Sequence, residues 1–397
     1  MTWMISRCRV LTGLDVLPDV VREYGFTAAT VAYDAAIEGN AGLAAGCEAL
    51  ASRGVTVRLL AVDRTGSLAD ARDLAGRLGR GEPVVAMGGG SLLDCVKLAL
   101  ALHDPLAERV LSARQRSGWV IGPDRPRPAP LIAVPTTVGT AAEVSGIVSF
   151  VDGGSAKRVY TSLSVQPDVA VLDPRATAGM PGEVLVEGCL EILLRFVGPM
   201  VGARGPLTDT DRQVLRDAAE VTGLLCRIRR TGEATAPVRA RLALLSAQTQ
   251  RDENLCDRSA FTVKAWFLGN NLSQHLGVRK MAALANLIPA YWGRLAEGPA
   301  LGSAQRAQQM WAVLREQIPV PVAPEPGTGF PEWLDWLGVP ALSPLSDHDV
   351  ETVALSCVRM WGGGLPMLGG VAADDVRAVL RGVRSAPATH GLPLSRG

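Results

Sequence analysis

Two apolar runs that break into turns rich in glycine and threonine constrain this chain most. The first is Val84-Val85-Ala86-Met87-Gly88-Gly89-Gly90-Ser91-Leu92-Leu93-Asp94-Cys95-Val96-Lys97, a short strand, three glycines and a serine, then helical spacing. The second, Pro130-Leu131-Ile132-Ala133-Val134-Pro135-Thr136-Thr137-Val138-Gly139-Thr140, repeats the design with hydroxyls in the turn. Glycines without a Cβ let the backbone approach an anion, and the N–H groups opening a helix add the positive end of its dipole. In an open α/β sheet, ligands gather at the carboxyl ends of the strands. Both turns should therefore face one crevice, and both should follow parallel strands.

The surrounding pattern agrees. From about Arg9 to Pro174, strand-like runs alternate with helical ones, the mark of a parallel sheet covered by helices. Ala28–Tyr33 should be a strand ending at Asp34, and Ile147–Val151 should form a hairpin with Arg158–Thr161. After Pro181 apolar residues recur at helical spacing, over Val184–Val197, Arg212–Ile228, Val238–Gln250, Met281–Arg294, Ser303–Arg315 and Asp347–Met360. Pro319–Pro326 is expected as a proline-rich connection. The expected architecture is an α/β N-terminal domain with a Rossmann-like parallel sheet, residues 1–179, and an all-helical C-terminal domain, residues 180–397.

Composition removes several functions. Forty basic against thirty-nine acidic side chains leave no field for a nucleic acid. Seven cysteines, without any C-x-x-C spacing, read as reduced thiols. No apolar run has the length of a signal peptide or a bilayer span, so a cytoplasmic protein without a membrane partner is expected. Abundant alanine, glycine and arginine with few lysines suggest a GC-rich coding sequence.

GGGSxxDxxK followed by P-x-x-x-x-P-T-T-x-G-T-A-A-E-V resembles the iron-containing alcohol dehydrogenases, relatives of glycerol dehydrogenase and dehydroquinate synthase. Pro167-Asp168-Val169-Ala170-Val171-Leu172-Asp173-Pro174 is similar to the segment closing that family's nucleotide domain, and Trp361–Pro366 with Val371–Val376 to its C-terminal helices. The resemblance implies an NAD-linked oxidoreductase acting on a CH–OH group and a homodimer or higher assembly. Gly88, Gly89, Gly90 and Ser91 would hold the pyrophosphate. Asp94 would face the nicotinamide, and Thr136, Thr137 and Thr140 would supply hydroxyls to its phosphate, ribose or carboxamide. Asp34 could accept from the adenosine ribose and repel a 2′-phosphate, favouring NAD over NADP, or simply cap a helix. Lys157 or Arg158 falls near the family's basic cofactor contact, and Arg158 is the residue chosen.

The family's metal ligands are missing from their expected places. G-x-D-x-x-x-H puts them at Leu190 and Leu194, the H-x-x-x-H segment at Asn271, and the fourth at Lys280. Leucine cannot coordinate, an amide is a weak donor and an ammonium repels a dication. No catalytic metal is expected. Shifting the helix register by one leaves a poor alternative of Glu191, His275 and Asn271. Lys280 could replace part of the metal's charge on a developing alkoxide, and His275 could relay the hydroxyl proton.

The leading expectation is thus a metal-independent NAD-dependent alcohol oxidoreductase with His275, Lys280 and Asp94 as catalytic residues. More narrowly, the chain is similar to the dehydrogenases of daptide-type ribosomal peptide biosynthesis. That similarity implies oxidation of the β-hydroxyl of a peptide's C-terminal threonine, decarboxylation, and possible partners among other biosynthetic enzymes. Two alternatives stay open. One is a dehydroquinate synthase-like cyclase, and the other a catalytically degenerate scaffold.

Overall fold

The computed structural model describes residues 7–153, 156–251, 259 and 261–386; Cys256 and His390 lie outside them. Nine strands come first: β1 (Arg9–Thr12), β2 (Ala28–Asp34), β3 (Thr56–Val62), β4 (Val84–Gly88), β5 (Trp119–Ile121), β6 (Leu131–Pro135), β7 (Ile147–Val151), β8 (Lys157–Thr161) and β9 (Val169–Leu172). Six of them form one sheet in the order β1-β9-β6-β4-β2-β3, and every pairing in it is parallel. Every residue of β4, β6 and β9 is buried, which explains their unbroken apolar sequences: helices cover a parallel sheet on both faces. The expected hairpin forms as β7 antiparallel to β8, and β5 joins β8 to complete a small second sheet.

The strands end at Leu172, and the long Gly182–Gly202 helix follows. Further helices span Asp209–Thr231, Ala236–Gln248, Lys264–Leu276, Lys280–Gly293, Ala304–Arg315, Pro326–Leu337, Asp347–Trp361 and Ala373–Arg381. Their ends obey local chemistry. Thr208 with Asp211 and Ser346 with Asp349 form reciprocal capping boxes, and Gly232 and Gly277 close helices in the left-handed conformation. Three of these helices lie outside the apolar runs read from the sequence: Lys264–Leu276, Pro326–Leu337 and Ala373–Arg381. Lys264–Leu276 carries Asn270, Asn271 and Gln274 in mid-helix, and Pro326–Leu337 starts where the proline-rich connection ends, with Pro326 at a first-turn position that needs no N–H donor.

One buried cluster unites the halves, running from Val138, Ala141 and Leu172 through the Gly182–Gly202 helix to Trp311, Phe330 and Trp333. Where the loop after β6 meets that helix, main chain lies on main chain. A Cβ on Gly139, whose φ is +106°, would sit 2.6 Å from the Gly188 carbonyl oxygen. A Cβ on Gly188 would sit equally close to the carbonyl of Val138. This approach brings the second turn against the helix that carries Glu191.

Candidate functional site

The two turns leave the carboxyl ends of adjacent strands, with Gly88 registered against Pro135. The Thr136 N–H donates to the Gly88 carbonyl at 3.0 Å and ties the turns together. Gly89 caps the Gly90–Ala101 helix, with no side chain hydrogen-bonded at its N-terminus. A Cβ on Gly90 would lie 2.7 Å from Thr140 Cγ2, so the turn packs against the second loop only because position 90 has no side chain. Between these turns and the helical half lies a cavity of about 550 Å³. Gly90, Ser91, Asp94, Thr137 and Thr140 line one side, and Glu191, Arg195, Trp266, Asn270, Gln274 and Lys280 the other, with Lys157 on the wall as well. A glycine turn, a helix N-terminus and threonine hydroxyls on one wall fit a dinucleotide pyrophosphate and ribose.

Asp94 is held in place. Its carboxylate accepts from Lys97 Nζ at 3.1 Å and from the Ser149 N–H at 2.9 Å. Lys97 is fully buried and also donates to the carbonyls of Ala142 and Ile147. Burial lowers the affinity of this ammonium for its proton, and Asp94 partly restores it. Beside it, Glu143 is buried with its Oε2 unpartnered, and burial raises its carboxyl to about 7.

Across the cavity stands an ion cluster. Glu191 Oε1 accepts from Lys280 Nζ at 2.5 Å and from Arg195 Nη2 at 3.0 Å. Both cations lie over the Trp266 ring, Arg195 at 5.5 Å and Lys280 at 5.7 Å from its centroid. Burial acts to raise the Glu191 carboxyl, but its two cations together hold it below the ordinary value. At the rim, Arg279 forms a forked pair with Glu187. This donor set does not fit a divalent cation: Glu191 Oε1 already carries two positive partners. Among the described residues no three His, Cys, Asp or Glu side chains gather as metal ligands would.

Several sequence expectations are corrected here. Leu190 and Leu194 are buried in the core rather than at the cavity. The cavity face of that helix is one residue further on, at Glu191 and Arg195. In Lys264–Leu276 the offset runs one residue the other way: Asn270 and Gln274 face inward, while Asn271 donates to Ser356 Oγ and accepts from the Trp361 indole. His275 does not line the cavity; its Nε2 lies 2.7 Å from Asp349 Oδ1, so it bridges two helix ends and is not placed to relay a substrate proton. Arg158 pairs with Asp152 and donates to the Ser117 carbonyl, while its neighbour Lys157 faces the cavity, because alternate residues of β8 point to opposite faces. Asp34, at the end of β2 and beside β4, is not on the cavity wall, and its carboxylate accepts the Ala36 N–H as a cap. Gly88, Gly89 and Thr136 build the turns from behind, whereas Gly90, Ser91, Asp94, Thr137, Thr140 and Lys280 reach the cavity. Arg195, Trp266 and Gln274 were missed, although E-x-x-x-R and N-x-x-x-Q repeat the i, i+4 spacing of the ligand pairs.

Residues 11–174 match the family model described as iron-containing alcohol dehydrogenase. The probable alcohol dehydrogenase EutG of Salmonella typhimurium is 44% identical over 103 residues, 25% of this chain and 24% of that protein. The phosphonoacetaldehyde reductase of Streptomyces viridochromogenes is 36% identical over 121 residues, 29% of each chain. Both matches span less than a third of these curated relatives. Fold similarity runs further. The NADH-dependent butanol dehydrogenase A of Thermotoga maritima superposes with a TM-score of 0.78 at 15% identity, over 96% of this chain and 98% of that one. An iron-containing alcohol dehydrogenase of Thermococcus thioreducens gives 0.74 at 20% identity, again over 96% and 98%. The chain thus matches the iron-containing alcohol dehydrogenase family over residues 11–174 and shares the fold of these dehydrogenases across 96% of its length.

Proposed function

We propose that the protein is an NAD-dependent oxidoreductase acting on a CH–OH group, with the Glu191–Lys280–Arg195 cluster standing where relatives use a metal. The juxtaposition of that cluster with the Gly90–Ser91 turn in one cavity carries this reading. The relatives' names support the reaction class: an alcohol dehydrogenase, an aldehyde reductase and an NADH-dependent butanol dehydrogenase. NAD, when bound, supplies a hydride acceptor at its nicotinamide. The chain's residues do the rest. Gly90 and the first N–H groups of its helix receive the pyrophosphate, Thr137 and Thr140 orient the ribose side, and the Lys280 and Arg195 cations stabilise negative charge on the substrate oxygen. In the narrower form of the proposal, the substrate is a peptide ending in threonine, whose oxidised β-keto acid loses CO₂; the cationic wall would hold the terminal carboxylate. The same cluster speaks against a cyclase that depends on a metal.

The test is direct. NADH fluorescence should change on titration with the protein, and NAD reduction in the presence of alcohol should survive exhaustive chelation and gain nothing from added Fe²⁺ or Zn²⁺. Absence of NADH binding overturns the oxidoreductase reading. Activity that vanishes on chelation and returns with metal overturns the metal-independent one.

A further inference from the structure

Forty basic residues contain only four lysines, Lys97, Lys157, Lys264 and Lys280. Everywhere else the chain uses arginine. Arginine serves for surface charge and bidentate pairing, but its guanidinium does not give up a proton in a protein, whereas a buried lysine does so readily. The four positions are therefore informative. Lys157 and Lys280 line the cavity, and Lys97 braces Asp94 from beneath its wall. Lys264 donates to the carbonyls of Ala300 and Gly369.

Oxidation of an alcohol needs a group that accepts the hydroxyl proton, and most titratable side chains on this wall are occupied. Asp94 is bound to Lys97 and to the Ser149 N–H. Glu191 is bound by two cations and Glu187 by Arg279. Lys280 Nζ is committed to Glu191, and His275 lies off the cavity against Asp349. Among the described residues no hydrogen bond or ion pair engages Lys157 Nζ. The charged groups near it are Lys280 from the helical half, Glu191 beside that, and Asp94 from the helix after the glycine turn. Neighbouring β5 and β7 carry no charged side chain, and the charged groups of Lys264–Leu276 are the tied Lys264 and His275.

We propose that Lys157 is the proton acceptor of the reaction. This role rests on the oxidoreductase reading and gives a proton-transfer task to a position that the family resemblance implied only as one of two candidate cofactor contacts. The neutral Nζ takes the hydroxyl proton and becomes an ammonium. The carbinol C–H bond breaks with its electron pair, which leaves as hydride to the oxidised nicotinamide, and the C–O bond becomes a carbonyl. In the reverse direction the Lys157 ammonium returns the proton to the alkoxide. Burial, with the charge of Lys280 added, lowers the Lys157 ammonium to about 8, so the neutral amine is accessible near neutral pH.

Four lysines make the first measurement simple. NMR of protein labelled at lysine Cε should resolve a signal, assigned by its loss in Lys157→Met, that titrates near pH 8 without cofactor. With 2-butanol and NAD, the wild-type single-turnover rate should rise about tenfold per pH unit and level off above about 8. Lys157→Met should lower it at least about 100-fold at pH 7.5, abolish the break and leave NADH affinity within about threefold. Added methylamine should partly rescue Lys157→Ala. A Lys157 signal titrating at 10 or above, or a variant with weakened NADH binding and an intact pH break, overturns the proposal and makes Lys157 a cofactor contact. A wild type that binds no NADH overturns the oxidoreductase reading itself, and this role with it.

Discussion

Position 90 shows how much one missing side chain can decide. The Gly90 backbone passes so close to Thr140 that a Cβ would lie 2.7 Å from its Cγ2 and 2.9 Å from its Cβ and Oγ1. Thr140 branches at the β-carbon and cannot swing clear, so Gly90→Ala must displace one turn relative to the other. We expect NADH affinity to fall at least about tenfold, roughly 1.4 kcal/mol, with a smaller change in thermal midpoint; fluorescence titration beside a melting curve checks both. This turn was legible in the sequence because glycine at a strand-to-helix junction has a narrow set of uses. His275 was not. A histidine near a presumed ligand position looks catalytic until its helix phase is known, and only the fold shows it turned toward Asp349.

Helix phase also explains the rest of the site. The Gly182–Gly202 helix is apolar over so much of its circumference that the sequence cannot tell its cavity face from its core face. Buried Glu191, paired with two cations, marks the inner face, while Leu190 and Leu194 are sealed in the core. Restoring the D-x-x-x-H spacing at the leucines should therefore fail. We expect Leu190→Asp with Leu194→His to take up no iron or zinc and to lose at least about 4 kcal/mol of stability, since both new polar groups would be buried without partners. Elemental analysis and urea unfolding would show it. Strands fared better in the sequence than helices. A buried parallel strand is a short apolar run between turns, whereas Lys264–Leu276 hides its phase behind amides that serve the cavity and the core alike.

At the scale of the whole molecule, the sheet, the helical half and the crevice between them follow from the two turn motifs and the change of texture after Pro181. The electrostatic balance does not. Glu143 lies under the join, and burial raises its carboxyl from 4.5 to about 7. Between those values the folded chain keeps a proton that the unfolded chain has released, so stability falls as pH rises through the window. Glu143→Gln should flatten that fall, which is on the order of 3 kcal/mol, and raise the melting temperature above the wild type's at pH 8 but not at pH 4; calorimetry across the range would decide it. The sparse lysines have a consequence of another kind. With arginine supplying the remaining basic side chains, lysine-directed acylating or carbonyl reagents find few external targets. Those that enter the crevice meet Lys157 and Lys280, so ordinary lysine chemistry becomes, in this molecule, a label for the cavity.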